Sequence, residues 1–201
     1  MNITVYLASS EGKDPTLREA VRAFGTWIGE SGNALVYGGS KSGLMGMLAE
    51  SVIEAGGEAT GVEPQFFIDA VLQYEGLTRL IATKDMTERK ELMIELGDAF
   101  IAFPGGTGTL EEIAEIMSKV CLGHLDAPCI LYNHNGYYEG LKLQLRTAVE
   151  QGLASEDQLS RIHFADSVEE IEEISSVAGV DIAANVEKYA VLPSLRFVVS
   201  N

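Results

Sequence analysis

Short apolar runs rich in β-branched residues alternate along this chain with longer stretches of helical periodicity. A parallel sheet whose strands are joined by crossover helices produces this alternation. The predicted strands cover residues 3–8, 34–37, 58–62, 77–83, 99–103, 129–132 and 162–164. The 201 residues therefore predict a single doubly wound α/β domain with a mainly parallel sheet of about seven strands flanked by helices.

Start and stop signals delimit the predicted helices. Asp14 can cap the first helix with Pro15 at its first position, and Gly32 follows its end. The helices are predicted over residues 15–31, 43–55, 87–96, 109–121, 137–150 and 167–176. A capping box from Ser167 to Glu170 introduces the last of them. Residues 179–201 are less patterned and predict either a short helix near 183–189 or a tail that docks on another subunit.

The charge balance excludes several classes of partner. The chain has 14 Lys and Arg against 30 Asp and Glu, a net charge of −16, which repels nucleic-acid backbones and anionic membrane surfaces. No basic leader and no apolar run of about 18 residues is found. Cys121 and Cys129 have no zinc-site spacing, so we expect structural thiols and no metal. These features predict a cytoplasmic protein that binds neither nucleic acid nor membrane.

Two glycine-rich segments follow predicted strands, where ligands collect in open α/β sheets. The first, residues 36–46, contains Gly38 and Gly39 and leads into a helix, which is typical of either a ligand loop or a tight turn. The second passes from a buried strand through Pro104 into a helix predicted to begin at Thr109. Free N–H groups at this helix start can bind a phosphate.

Glu112 lies one turn into the second of these helices and has two possible roles. It can face a ligand held at the helix start, or it can complete a capping box with Thr109. The spacing of Leu110, Ala114 and Met117 predicts a buried stripe on this helix, which places Glu112 at the flank beside the strand ends.

Arg89 shares a predicted helix face with Leu92 and Met93, so its side chain points toward the core. A buried cation needs a partner or a ligand, although the head of a long side chain can also reach solvent or a nearby carboxylate. The neighbouring Lys90 is better explained as a solvated lysine.

Four motifs in order resemble the LOG ("Lonely guy") family, whose members were once described broadly as lysine decarboxylases. Residues 104–112 resemble P-G-G-x-G-T-x-x-E, residues 36–46 resemble V-Y-G-G-G-x-x-G-L-M-G, and residues 86–90 resemble M-x-x-R-K. Ser9 and Ser10 resemble the end of C-G-S-S. The similarity covers roughly residues 3–175, and the interval of 23 residues from Arg89 to Glu112 agrees with it.

The resemblance implies a Rossmann-like hydrolase that cleaves the N-glycosidic bond of a cytokinin riboside or adenosine 5′-monophosphate. It implies a homodimer or larger homo-oligomer that needs no cofactor and no metal. Glu112 and Arg89 match the family's catalytic pair. The residues matching its nucleotide-binding positions are Gly105, Gly106, Thr107, Gly108 and Thr109, and with less specific matches Lys90, Gly38, Gly39 and Ser10.

The sequence departs from the family pattern at Thr87, Ser40, Glu63 and Ala8. These positions bear on the base that is accepted more than on the reaction. A pyridoxal-dependent decarboxylase is disfavoured because that chemistry needs a lysine Schiff base and a partner for the ring nitrogen. The alternative that stays open is a nucleotide-binding or carrier protein on the same fold, since a phosphate loop alone does not make a catalyst.

Overall fold

The computed structural model describes residues 1–178 and 197–198, which form one twisted sheet with helices on both faces. The strands are β1 (Asn2–Tyr6), β2 (Ala34–Tyr37), β3 (Glu58–Pro64), β4 (Arg79–Thr83), β5 (Ala99–Ala102), β6 (Cys129–Tyr132), β7 (Ile162–Ala165) and β8 (Phe197–Val198). The helices are α1 (Pro15–Glu30), α2 (Gly43–Glu54), α3 (Gln65–Asp69), α4 (Met86–Leu96), α5 (Thr107–Cys121), α6 (Glu139–Glu150), α7 (Glu156–Leu159) and α8 (Val168–Ala178).

The strand order is β7-β6-β5-β1-β2-β3-β4-β8, and β1 to β7 are parallel. The predicted α/β architecture and its seven parallel strands are confirmed. The prediction missed β8, which pairs antiparallel with β4. It also missed α3 and α7, which have 5 and 4 residues and are too short to give a periodic pattern. The helix suggested near 183–189 lies outside the described residues.

Apolar side chains of alternating strand positions form two cores, one on each face of the sheet. Residues of α1 and α2, including Phe24 and Leu48, pack on one face, whereas residues of α4 and α5, including Met93 and Ile116, pack on the other. The chain therefore winds in one direction from β1 to β4 and in the other from β5 to β7. The loops after β1 and β5 separate at this switch point, which is where α/β sheets open a crevice.

Predicted capping residues lie at the starts of two helices, and one of the two caps forms in full. Asp14 accepts a hydrogen bond from the Thr16 backbone N–H at 2.9 Å, with Pro15 at the first helical position. At α8 the Ser167 hydroxyl accepts from the Glu170 N–H at 3.2 Å, while the Glu170 carboxylate accepts from the Asp166 N–H. Only half of the predicted capping box therefore forms.

None of the helices among the described residues is both long and apolar enough to cross a membrane.

Candidate active site

A cavity of about 630 Å³ opens at the carboxyl ends of β1, β2 and β3, at the switch point of the sheet. Its walls come from the loops after β1 and β2, the end of β3, the inner face of α4 and the first turn of α5. Of the residues expected to form a nucleotide site, those that line it are Ser10, Gly38, Arg89, Gly106, Thr107, Gly108, Thr109 and Glu112.

The loop after β1 is held in place by the first residues of α2. The Leu44 N–H donates to the carbonyl oxygen of Ser10 at 3.3 Å. Gly43 has a φ of +57°, and a Cβ there would lie 2.5 Å from the Ser10 backbone nitrogen, so a side chain at this position would displace the loop. This close approach fixes Ser10 at the wall of the cavity.

Helix α5 begins at Thr107, two residues before the predicted start, with Gly106 as the N-cap residue. No side chain caps this end, so the capping-box interpretation of Thr109 and Glu112 is wrong. The first backbone N–H groups of a helix have no partner within it and attract an anion. A Cβ on either Gly106 or Gly108 would meet no atom within 4 Å. The uncapped helix start thus presents open donors to the cavity.

Substituting Gly108 should therefore weaken phosphate binding without disturbing the fold. We expect Gly108→Val to weaken binding of ribose 5-phosphate at least roughly tenfold, because the added methyl groups crowd the free N–H donors. Gly140→Val is the matched control, since Gly140 also lies in the first turn of a helix with open space around a Cβ but does not line the cavity. Isothermal titration calorimetry checks both; equal binding by both variants would contradict a phosphate site at α5.

Arg89 and Glu112 form an ion pair at the wall of the cavity, with 3.2 Å between Nη1 and Oε1. Their side chains are only 10% and 11% exposed. The Arg89 Nε donates to the carbonyl oxygen of Val62 at 3.0 Å, which fixes the guanidinium against β3. Gly38 is required beneath it, because a Cβ there would collide with Nη2. Arg89 thus lies on the buried face as predicted, and its partner is the Glu112 carboxylate.

Burial raises the pKa of Glu112, and the adjacent guanidinium of Arg89 opposes that rise. A carboxylate in this environment is poorly solvated and close to an open cavity, which is the condition of many catalytic acids and bases.

Three of the expected site residues do not line the cavity. Lys90 points along α5 instead, with Nζ 2.7 Å from Glu111 Oε1 and 3.4 Å from a Glu115 oxygen. Gly105 lies against the side chain of Thr109, where there is no room for a Cβ. Gly39 has a φ of +88°, which turns the chain after β2, and it lies against the side chain of Glu63.

Glu63 is the residue at this site that sequence reasoning did not include among the binding residues. It lines the cavity, is 2% exposed, and its Oε2 has no hydrogen-bond partner among the described residues. Burial raises the pKa of its carboxyl to about 7, and the charge of Arg89 opposes this. The sign of this role in the sequence was the presence of an acidic residue, Glu63, just before Pro64 at the end of a strand.

The raised pKa of Glu63 predicts a specific dependence of stability on pH. The native state binds this proton more tightly than the unfolded chain, so the free energy of unfolding falls by up to about 3 kcal/mol as the pH rises through the interval between the two pKa values. That interval runs from 4.5, the ordinary value, to about 7. The groups facing Glu63 are the Arg89 guanidinium and Tyr37, whose raised pKa keeps it neutral here.

The Glu63→Gln variant cannot lose stability in this way. Its free energy of unfolding should therefore rise relative to that of the native protein as the pH is raised from 5 to 8. Urea unfolding at both pH values checks this, with Glu58→Gln at the exposed end of β3 as the control. The same change in stability for native and Glu63→Gln proteins would show that Glu63 is ionised throughout this range.

The chain is similar to known proteins in sequence and in fold. A family model described as "Possible lysine decarboxylase" matches residues 45–174. A cytokinin riboside 5′-monophosphate phosphoribohydrolase of Rhodococcoides fascians is 38% identical over 170 residues, which cover 84% of this chain and 85% of that protein. The chain belongs to the LOG family. Another LOG family member, from Arabidopsis thaliana and with the same name for its activity, is 37% identical over 169 residues, 84% of this chain and 79% of that one.

Solved structures share the fold of this LOG family member. The molybdenum cofactor binding protein of Rippkaea orientalis has a TM-score of 0.64 at 24% identity, covering 88% of this chain and 96% of that one. The molybdenum cofactor carrier protein of Chlamydomonas reinhardtii has a TM-score of 0.61 at 19% identity, covering 87% and 98%. At these identities the likeness concerns the fold alone.

The description "lysine decarboxylase" implies pyridoxal phosphate, and the cavity does not fit that group. Pyridoxal chemistry needs a lysine to form the Schiff base. The described residues that line the cavity include no lysine, and Lys90 is committed to Glu111 and Glu115. Among the described residues, the cavity of this LOG family member therefore offers no side chain for pyridoxal chemistry.

Proposed function

We propose that this protein hydrolyses the N-glycosidic bond of a purine riboside 5′-monophosphate, of the adenosine or cytokinin type, to the free base and ribose 5-phosphate. The observation that carries the proposal is the buried pair of Arg89 and Glu112 at the cavity wall, one turn from the open helix start of α5. The relatives named as phosphoribohydrolases support the same reaction.

The phosphate is bound by the first N–H groups of α5, with the hydroxyl of Thr107 beside them. Net charge is −16, so these fixed donors and Arg89 supply the local positive field that an anionic substrate needs. The phosphate takes no part in the bond that breaks, but its binding energy holds the attached ribose with C1′ beside Glu112.

The reaction breaks the bond between C1′ and the base nitrogen, and the base leaves with the electron pair. Positive charge builds on the ribose, and the Glu112 carboxylate stabilises it. Water adds its oxygen to C1′, Glu112 accepts a proton from it, and the proton passes on to the leaving base. Arg89 orients Glu112 and favours its ionised form.

The test is to incubate the protein with adenosine 5′-monophosphate and with isopentenyladenosine 5′-monophosphate and to separate the products by chromatography. We expect free base and ribose 5-phosphate in equal amounts from at least one of them. A nucleotide-binding carrier is the second candidate, favoured by the fold shared with molybdenum cofactor carriers. A carrier would bind a nucleotide and return it intact, which would refute the hydrolase.

We propose further that the protein is a cytoplasmic homodimer or larger homo-oligomer. Leu110 and Ala114, expected on the buried stripe of α5, are exposed, and Leu110 is 45% exposed. Tyr137 and Leu143 are also exposed, at 55% and 65%. A second copy of the chain would cover these apolar side chains. Light scattering checks this, and a monomer at micromolar concentration would contradict it.

A further inference from the structure

The carboxyl of Glu63 stands out in the cavity because it is buried without a partner. Three buried side-chain oxygens among the described residues have no hydrogen bond, on Glu63, Gln73 and Ser175, and only that of Glu63 belongs to a residue lining the cavity. Burying such a group without a hydrogen bond destabilises the fold. An unpaired polar group in the wall of a ligand cavity indicates that a ligand supplies the partner.

The surrounding residues hold this carboxyl in place without satisfying it. Gly39 lies against it, since a Cβ there would be 2.9 Å from Glu63 Cγ. Arg89 is near enough for its charge to act on Glu63. However, its Nε donates to Val62 and its Nη1 pairs with Glu112. The position is therefore built into the fold, while Oε2 stays free of protein donors.

The place of Glu63 in the cavity identifies the part of the ligand that meets it. This step rests on the proposed function, with the phosphate at α5 and C1′ at Glu112. Arg89 joins Glu112 of α5 to the carbonyl oxygen of Val62 in β3, and Glu63 follows Val62 at the end of β3, beside Gly39. The same cavity is also lined by the apolar side chains of Phe67, Leu72 and Met86. A base that extends from C1′ away from the phosphate reaches this wall.

We propose that Glu63 binds the amino-bearing edge of an unmodified adenine and so makes adenosine 5′-monophosphate the preferred substrate over its N6-prenylated form. A protonated carboxyl offers one donor and one acceptor, which match a ring nitrogen and the adjacent amino group. Because burial raises the pKa of Glu63 to about 7, a substantial part of this carboxyl is protonated at neutral pH. When the carboxyl pairs with N1 and the amino group, a prenyl group on the N1 side of the amino nitrogen replaces the donated N–H with an apolar chain and leaves the carboxyl acceptor unpaired.

The test compares kcat/KM for adenosine 5′-monophosphate and isopentenyladenosine 5′-monophosphate in the native protein, Glu63→Gln and Glu63→Leu. We expect the native protein to prefer the unmodified nucleotide. Glu63→Gln should keep that preference within about threefold, because an amide also offers one donor edge and one acceptor. Glu63→Leu should shift the ratio toward the prenylated nucleotide by roughly 30-fold or more.

Glu58→Leu is the matched control, since Glu58 is an exposed glutamate at the opposite end of the same strand. Its ratio should equal that of the native protein. Glu63→Met serves as a second apolar variant if Glu63→Leu does not fold, and calorimetry with ribose 5-phosphate confirms that the phosphate site of each variant is intact. A native preference for the prenylated nucleotide, or an unchanged ratio in the apolar variants, would overturn the proposal.

The two proposals fail in different ways. If the native protein releases no base from either nucleotide, the hydrolase is refuted. The role of Glu63 is then tested by the ratio of the dissociation constants of the two nucleotides, measured in the native protein and in the same variants. If base is released but the ratio does not respond to residue 63, the hydrolase stands and the role of Glu63 is refuted.

Discussion

Glu112→Gln is expected to lower kcat for base release by roughly 10³-fold, because a positioned general base and its negative charge are both lost. The amide is nearly the same shape as the carboxylate, so the fold should be kept. Binding of ribose 5-phosphate should change little, since the phosphate is bound by the start of α5 and not by residue 112. Steady-state kinetics and calorimetry together separate the two effects.

Glu115→Gln is the control for this loss of turnover. Glu115 lies one turn further along α5, pairs with Lys90 and Lys119, and does not line the cavity. Its kcat should stay within about twofold of the native value, as for other surface substitutions. Near-native turnover by Glu112→Gln would remove Glu112 from the mechanism.

Arg89→Met is expected to lower the free energy of unfolding by about 3 kcal/mol or more. The substitution leaves the Glu112 carboxyl buried without its cation, and it removes the donor to the Val62 carbonyl. Arg89→Met combined with Glu112→Leu should recover at least half of the loss, because an apolar pair needs no hydration. Urea unfolding of the two variants measures both effects.

Arg22→Met provides the comparison for an exposed pair. Arg22 and Glu50 lie 3.4 Å apart with side chains 49% and 45% exposed, and such pairs contribute at most about 1 kcal/mol. If Arg89→Met were as mild as Arg22→Met, or if the double variant were no more stable than the single one, the pair of Arg89 and Glu112 would not be a coupled buried pair.

The fold could be predicted from the sequence because its signals are local and repeated. Most of the parallel strands are short apolar runs, and each long helix has a periodic face or a capping residue such as Asp14. Strand β8 could not be found in this way, since two residues at the edge of a sheet give no pattern of their own. Their pairing with β4 depends on the tertiary structure.

The candidate site was predictable where residue type decides the geometry. Arg89 on an apolar face predicted a buried side chain that needs a partner or a ligand, and the glycines of residues 105–108 indicated a helix start open to a ligand. The start of α5 was misplaced because Thr107 and Thr109 both resemble cap residues, whereas the structure uses Gly106. The exposure of Leu110 was missed because helical periodicity finds an apolar stripe without saying what covers it.

The environment of Glu63 could not be predicted because three separate elements create it. Its own position in β3 buries it, the turn at Gly39 makes room for it, and Arg89 of α4 directs Nε and Nη1 to other acceptors. A sequence shows only a glutamate before a proline. The unpaired state of the carboxyl is a tertiary property.

The most direct measurement is a crystal structure of Glu112→Gln with adenosine 5′-monophosphate, since the slowed variant should retain the intact nucleotide. We expect the phosphate on the backbone N–H groups of residues 107–109 and C1′ within about 4 Å of the residue 112 side chain, as a reacting geometry requires. A phosphate bound away from α5, or a glycosidic bond far from residue 112, would contradict the proposed mechanism.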